Sequence, residues 1–201
     1  MAYASWVTPS KQSGSGNDSV SWEGSPHTGR VARSTTAVFA ASGVENKVLT
    51  INQAGKSEFV DIADTAAISK DGGSVTITGK SNSPKLTFAL TGTNGVGLVL
   101  PASYLANSVS TNNGAAIAGD PGAAQEYDFA ITFTGIAENT SIAALVSQLT
   151  VTTDNGVTDT CEITQAAGDA YLTISPTTIN LTAAGTAVSV SVSSNTSWTI
   201  S

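Results

Sequence analysis

The sequence predicts an all-β protein made of β-sandwiches, and three observations support this prediction. Many short segments alternate apolar and polar residues, as strands do when one face of a sheet is buried. Turns rich in Gly, Asn and Asp separate these segments, and no long stretch shows the 3.6-residue period of a helix. Only 11% of the 201 residues are charged, which suits sheets whose solvated faces carry Ser and Thr.

The strands can be placed in order along the chain. Alternation and turn residues predict them at 5–9, 20–22, 33–40, 48–53, 59–62, 75–78, 86–90, 127–133, 149–151, 161–165, 171–175 and 188–192. Two sequences predict hairpin turns, Asp71-Gly72-Gly73 and Asp154-Asn155-Gly156. Residues 102–124 are rich in Ala, Asn, Gly and Ser and are predicted to form a long loop, and residues 142–149 could hold one helical turn.

An internal repeat organises the chain. Gln165 follows Gln53 by 112 positions, and Tyr171-Leu172-Thr173-Ile174 follows Phe59-Val60-Asp61-Ile62 by the same distance. Asn195 follows Asn82 with one residue of drift. Since both sides of each joint repeat together, the sequence indicates a tandem array of sandwich units.

The repeat is out of phase with the ends of the sequence. Residues 1–56 correspond to the second half of a unit, and residues 57–169 form a complete unit with the insertion 102–124. Residues 170–201 correspond to the first half of another unit. The sequence therefore predicts one complete sandwich between two half-sandwiches.

The two half-units together resemble BACON domains, which are immunoglobulin-like modules of Bacteroidetes proteins with a proposed role in carbohydrate binding. The matching residues are Tyr171 to Pro176, the hairpin around Gly185, Asn195-Thr196-Ser197-Trp198, Ser5-Trp6, Gly14-Ser15-Gly16-Asn17, Arg33 and Gln53-Ala54-Gly55. The middle unit lacks both tryptophans and matches less well. The resemblance implies tandem immunoglobulin-like sandwiches. It also implies a setting among secreted glycan-degrading enzymes, surface proteins or structural proteins of gut phages.

Half a sandwich leaves an apolar face uncovered, so the half-units are expected to complete each other. An exposed Val or Leu forfeits roughly 1.5–3 kcal/mol of burial, and open strand edges invite pairing. The residues expected to take part are Tyr171, Leu172, Ile174, Val188, Val190, Val192, Trp198, Trp6, Leu49 and Ile51. The favoured arrangement joins separate copies head to tail, because the joints at 56–58 and 168–170 reach only about 10 Å. Self-closure within one chain and a piece cut from a longer array are the alternatives.

The sequence offers little chemistry. A net charge of −7 opposes nucleic-acid binding, and no apolar run reaches the length of about 18 residues that a membrane helix needs. Cys161 is the only cysteine and is expected to be a buried structural thiol, while His27 is expected to be an exposed loop residue. No catalytic group, metal ligand set or cofactor is predicted.

The tryptophans bear on the choice of function. Trp6 and Trp198 are expected in a sandwich core, whereas Trp22 is the better candidate for stacking on a glycan. The sequence leads us to expect a non-enzymatic structural protein of a phage virion, as a capsid auxiliary or decoration protein or as a fibre component. Its partners would be copies of itself, with the major capsid protein and glycans as further candidates. This setting is favoured partly because residues 1–6 do not resemble a signal peptide. The alternatives are a secreted or cell-surface carbohydrate-binding module and an extracellular filament subunit.

Overall fold

The computed structural model describes residues 3–91 and 93–201, and over these residues the protein is all-β. Met1 and Ala2, with which the predicted first half-unit begins, lie outside the described residues. The only helical element in the described part is a 3-10 turn at Pro121–Ala123. The strands are β1 Val7–Pro9, β2 Trp22–Gly24, β3 Arg33–Phe39, β4 Lys47–Gln53, β5 Val60–Ile62, β6 Thr65–Ile68, β7 Gly73–Ser81, β8 Leu86–Thr91, β9 Ser103–Ala106, β10 Val109–Asn112, β11 Tyr127–Ile136, β12 Leu145–Thr153, β13 Thr158–Gln165, β14 Leu172–Ser175 and β15 Ser191–Ser194.

Residues 57–169, called the middle unit below, contain two sheets that share one core. The first sheet has the order β10-β9-β11-β7-β5, and the second has the order β6-β13-β12-β8. Strand β11 shows why the sequence folds this way, because Tyr127, Phe129, Ile131 and Phe133 alternate with exposed or half-buried residues and all point inward. The rings of Phe88 and Phe129 meet edge to face with their centroids 5.7 Å apart, inside this core.

Of the two predicted hairpin turns, the structure confirms one and contradicts the other. Asp154-Asn155-Gly156 does connect a hairpin, in which β12 pairs with β13 in antiparallel register. The hairpin predicted at Asp71-Gly72-Gly73 is wrong: β6 pairs in parallel with β13, while β7 lies in the other sheet. The Gly-Gly sequence makes a chain reversal between two sheets, which local turn chemistry alone does not distinguish from a hairpin.

Two predictions about irregular segments are also wrong. The segment 102–124 contains a hairpin of β9 and β10, turned by Asn107 and Ser108 at φ values of 48° and 65°. Small polar residues hide it in the sequence, although Tyr104 and Ala106 are buried in the shared core. The helical turn proposed for 142–149 does not form, because β12 already begins at Leu145.

The chain on either side of the middle unit forms smaller sheets. Residues 3–56, called the N-terminal segment, hold the two-stranded sheets β1-β2 and β3-β4. Residues 171–201, called the C-terminal segment, hold the two-stranded sheet β14-β15. Within the described residues, no strand of one segment pairs with a strand of the other. None of the helical structure in the described part of the chain is long and apolar enough to cross a membrane.

Gly72 is expected to be irreplaceable at the reversal between the two sheets. Its φ is +78°, and a Cβ there would lie 2.1 Å from the carbonyl oxygen of Ile136. We expect Gly72→Ala to lower the free energy of unfolding in urea by about 3 kcal/mol or more, because strain and a backbone clash combine. The matched control is Gly185→Ala, whose φ is +72° with nothing within 4 Å of the added Cβ. It should cost only about 1 kcal/mol, and equal effects of the two substitutions would contradict the prediction.

Candidate functional site

The C-terminal segment repeats the strand register of the middle unit. In the middle unit, β5 pairs with β7 so that Val60 lies opposite Ser81 and Ile62 opposite Gly79. In the C-terminal segment, β14 pairs with β15 so that Leu172 lies opposite Ser194 and Ile174 opposite Val192. The two pairs of strands therefore match residue for residue, 112 positions apart on one strand and 113 on the other.

The N-terminal segment repeats the other part of the middle unit. Strands β3 and β4 pair so that Arg33 lies opposite Gln53, and Phe39 opposite Lys47. Strands β12 and β13 place Leu145 opposite Gln165, and Val151 opposite Asp159. Every one of these positions differs by 112 from its counterpart.

The apolar face of the C-terminal segment is uncovered. We call Leu172, Ile174, Leu181, Val188 and Val190 the C-terminal face. Leu172 is 55% exposed, Ile174 49% and Val190 37%. Their counterparts Val60, Ile62 and Ile77 are 8%, 2% and 1% exposed, because the second sheet of the middle unit covers them. The C-terminal face therefore has the composition of a sandwich core without the opposing sheet.

A second apolar face lies in the N-terminal segment, and it is uncovered only in part, because Ala37 within it is buried. We call Trp22, Ala37, Phe39, Leu49 and Ile51 the N-terminal face. Phe39 is 46% exposed and Leu49 36%, whereas their counterparts Val151 and Cys161 are fully buried. In the middle unit those counterparts pack in one core with β5 and β7, which are the strands that β14 and β15 repeat. The two open faces thus correspond in sequence position to the two sides of the core of the middle unit.

The solvent exposure of the three tryptophans differs from the sequence expectation. Trp198 is 47% exposed, and Tyr171 is similarly exposed at 49%. Trp6 is half-buried under the guanidinium of Arg33, whose Cζ lies 4.5 Å from the ring centroid. Trp22 is also half-buried, and its ring meets Tyr3 edge to face at 5.4 Å. Val192, the remaining residue of the expected set, is half-buried on β15.

Asn82 holds the joint between the N-terminal segment and the middle unit. Its side chain is fully buried, and its Oδ1 accepts a hydrogen bond of 3.0 Å from the backbone N–H of Phe59. Its Nδ2 lies within 3.1–3.3 Å of the carbonyl oxygens of Thr28, Lys56 and Ser57. One buried amide therefore ties the backbone at Thr28 to the backbone at residues 56–59, and its own polar atoms find partners there.

Asn195 makes three of the four corresponding bonds at the joint to the C-terminal segment. Its Oδ1 accepts a hydrogen bond of 3.0 Å from the backbone N–H of Tyr171, and its Nδ2 donates to the carbonyl oxygens of Asp169 and Thr140. Tyr171, Asp169 and Thr140 each lie 112 positions after a residue that Asn82 binds. The second joint is therefore built like the first, but Asn195 is only half-buried.

Additional bonds fix the N-terminal segment on the middle unit. The guanidinium of Arg30 donates to the backbone oxygen of Asn82 at 3.0 Å and forms an ion pair with Asp120, which raises the pKa of Arg30. The backbone N–H of Arg30 also donates to Gly122 at 3.0 Å. The counterpart of Arg30 at the second joint is Ile142, which is 48% exposed. The second joint therefore carries an uncovered apolar side chain where the first has a satisfied ion pair.

The two joints lie at opposite ends of the middle unit. Strand β7 runs antiparallel to β11, with Ser81 opposite Tyr127 at one end and Gly73 opposite Ile136 at the other. The first joint surrounds Asn82, directly after Ser81. The second joint surrounds Thr140 and Asp169, beyond Ile136. The nine residues of β7 span roughly 30 Å, so the two open faces of one chain are held far apart.

Few titratable groups are placed for chemistry. Cys161 is fully buried, as expected, and burial with nearby Asp64 and Asp159 raises the pKa of its thiol to about 11. His27 is half-buried rather than exposed, and its Nε2 donates to the carbonyl oxygen of Val31 at 2.7 Å. Among the described residues, no group of three or more His, Cys, Asp or Glu side chains could hold a metal ion.

No protein-family model matches the chain, and a search of curated proteins also finds no match. The two open faces and the repeated joints are therefore the features of the molecule that bear on its function.

Proposed function

We propose that this protein is a structural protein made of tandem immunoglobulin-like β-sandwiches of the BACON type, whose copies join head to tail. In each contact the C-terminal face of one copy packs against the N-terminal face of the next, and the two segments together form one further sandwich. Strand complementation of this kind uses apolar cores and strand edges rather than a separate binding site. The observation that carries the proposal is the residue-for-residue match of the two segments to complementary parts of the middle unit.

A second copy is the proposed occupant for a geometric reason. The strands that cover β5 and β7 in the middle unit have counterparts in this chain, β3 and β4, and these lie at the opposite end of the molecule. The joints are short and hydrogen-bonded, so they cannot carry both segments to one place. A contact between copies satisfies both faces at once, and it is heterologous, because the two faces differ.

The proposed setting is a phage particle, in which the protein serves as a capsid auxiliary or decoration protein or as a fibre component. The resemblance to modules found in gut-phage structural proteins supports this setting, as does assembly from identical copies. The major capsid protein is then a further candidate partner. An extracellular filament uses the same contacts and is the nearest rival.

Sedimentation velocity over a wide range of concentrations tests the assembly directly, with electron microscopy of the same samples. We expect particles whose masses are multiples of one chain and grow with concentration, because an open head-to-tail chain keeps one unfilled face at each end. A single compact monomer at all concentrations, with Phe39 and Ile174 protected from solvent, would show self-closure and refute the proposal.

A second candidate function is carbohydrate binding, and one observation favours it. A cleft of about 680 Å³ in the N-terminal segment is lined by Tyr3, Trp22 and Phe39 together with Lys11 and Asp18. Aromatic rings beside charged groups are typical of sugar sites. Glycan binding that is lost in Trp22→Ala would favour this function. A docked copy would fill the same cleft, so glycan binding that persists in the assembled protein would also show that copies do not dock there.

A further inference from the structure

The middle unit contains one parallel strand pair, and it closes the edge of the second sheet. Strand β6 lies beside β13 so that Ala66 is opposite Ile163 and Ile68 is opposite Gln165. The pair is extended by a hydrogen bond of 3.0 Å from the N–H of Ala166 to the carbonyl of Ile68. Without β6, the edge of β13 would present unpaired backbone groups.

The counterpart of β6 in the C-terminal segment can be located from the turn that follows it. The N–H of Gly72 donates to Ser69 at 3.1 Å, and the N–H of Gly185 donates to Thr182 at 2.9 Å. The two glycines have nearly the same φ, 78° and 72°. Ser69 therefore corresponds to Thr182, and the four residues of β6 correspond to residues 178–181.

Residues 178–181 are not part of a strand in the C-terminal segment, and Leu181 is 62% exposed where its counterpart Ile68 is 5% exposed. The counterpart of β13 is β4, which pairs with no strand other than β3 in the described parts of the chain. The other edge of β4 is therefore open. The C-terminal segment thus has a short apolar stretch without a strand partner at the position of β6. The N-terminal segment has an open strand edge at the position of β13. The two lie at opposite ends of the molecule.

We infer that residues 178–181 of one copy pair in parallel with residues 50–53 of β4 in the next copy. The register of the middle unit places Ile179 opposite Ile51, Asn180 opposite Asn52, and Leu181 opposite Gln53. Ile179 and Leu181 then face the completed core beside Ile51, while both asparagines face outward. This inference rests on the proposed function, which it deepens by naming the strand pair and the register of the contact.

Cross-linking of single-cysteine chains tests the register. Chains with Asn52→Cys are mixed with chains carrying Asn180→Cys, and the mixture is treated with a short bismaleimide. Cys161 can remain, because its buried thiol does not compete. The matched control uses Ala184→Cys in place of Asn180→Cys, since Ala184 lies four residues after Asn180. We expect the 52–180 mixture to give at least about tenfold more cross-linked heterodimer than the 52–184 mixture, because four residues of strand span about 13 Å.

The other outcomes separate the register from the proposed function. Assemblies in sedimentation without preferential 52–180 cross-linking would overturn the strand pair while the head-to-tail proposal stands. Loss of assemblies together with loss of cross-linking would overturn both. A cross-link formed within single chains of the double variant at high dilution would overturn the contact between copies.

Discussion

Replacing Ile174 with Asp is expected to abolish the growth of assemblies and leave a folded monomer. Ile174 is 49% exposed in one chain, and its counterpart Ile62 is buried in the middle unit. The substitution removes roughly 1.5–3 kcal/mol of apolar burial from each contact, and the carboxylate must also lose its hydration. We therefore expect the dissociation constant measured by sedimentation to rise roughly 100-fold or more, with little change in the unfolding of the middle unit.

A matched control and a mixing experiment sharpen this prediction. Leu105→Asp is the control, since Leu105 is 48% exposed on the outer side of β9 and belongs to neither face. It should assemble normally. Phe39→Asp should block the N-terminal face in the same way as Ile174→Asp blocks the C-terminal face. A mixture of the two blocked variants should form a 1:1 dimer and nothing larger, because each contributes one intact face.

The mixing experiment also shows how this prediction could fail. If each face paired with a copy of itself, either blocked variant alone would still dimerise through its intact face. Assembly of Ile174→Asp at the level of Leu105→Asp would contradict a role of the C-terminal face in the contact.

Replacing Asn82 with Ala is expected to cause the largest loss of stability among single changes at the joints. The side chain is fully buried, and its removal leaves the N–H of Phe59 and the carbonyl groups of Thr28, Lys56 and Ser57 without this partner. Since a buried polar group without a partner costs about 1–3 kcal/mol, we expect a loss of about 3 kcal/mol in urea unfolding. This corresponds to a fall of roughly 6–12 °C in Tm.

Asn195→Ala is the natural control for Asn82→Ala. It removes corresponding bonds of a side chain that is only half-buried in a single copy. The free energy of unfolding of dilute monomer should therefore fall by less than about 1 kcal/mol. If copies join as proposed, the completed sandwich buries this joint in concentrated protein, and the same substitution should then weaken assembly. Equal losses for the two variants in dilute solution would contradict the view that the second joint is completed only in the assembly.

The fold class was predictable from the sequence because strand alternation is a local signal. Tyr127, Phe129, Ile131 and Phe133 mark β11 without any knowledge of its neighbours, and Asp154-Asn155-Gly156 marks the hairpin that follows β12. The burial of Cys161 is likewise confirmed, because Leu149, Cys161 and Ile163 share the core side of their strands. Each of these features depends on residues that are close together in the sequence.

The errors concern features that tertiary contacts decide. Whether Gly72 and Gly73 join a hairpin or two different sheets depends on where β6 finds its partner. That partner is β13, whose paired residues lie 97 positions later. The hairpin of β9 and β10 is held by one edge contact with β11 and by the burial of Tyr104. Small residues around these strands give no periodic signal.

The candidate site was partly predictable. The repeat of 112 residues led to the prediction that the half-units complete each other, and the observed registers of β3-β4 and β14-β15 are consistent with it. The sequence did not reveal the roles of Asn82 and Asn195 as paired joint residues, although the repeat aligns them. Their role becomes visible only where the backbone carbonyls from distant stretches converge. The contact between copies stays a prediction.

The similarity of the two joints has a consequence for the shape of any long assembly. If Asn82 and Asn195 set the same angle between neighbouring sandwiches, each sandwich is related to the next by the same rotation and translation. The result is a screw with two sandwiches per copy and therefore a pseudo-repeat at half the length of a copy. Such a fibre is polar, since one tip presents Phe39 and Leu49 and the other presents Leu172 and Ile174. A protein that caps or anchors one tip would therefore not recognise the other.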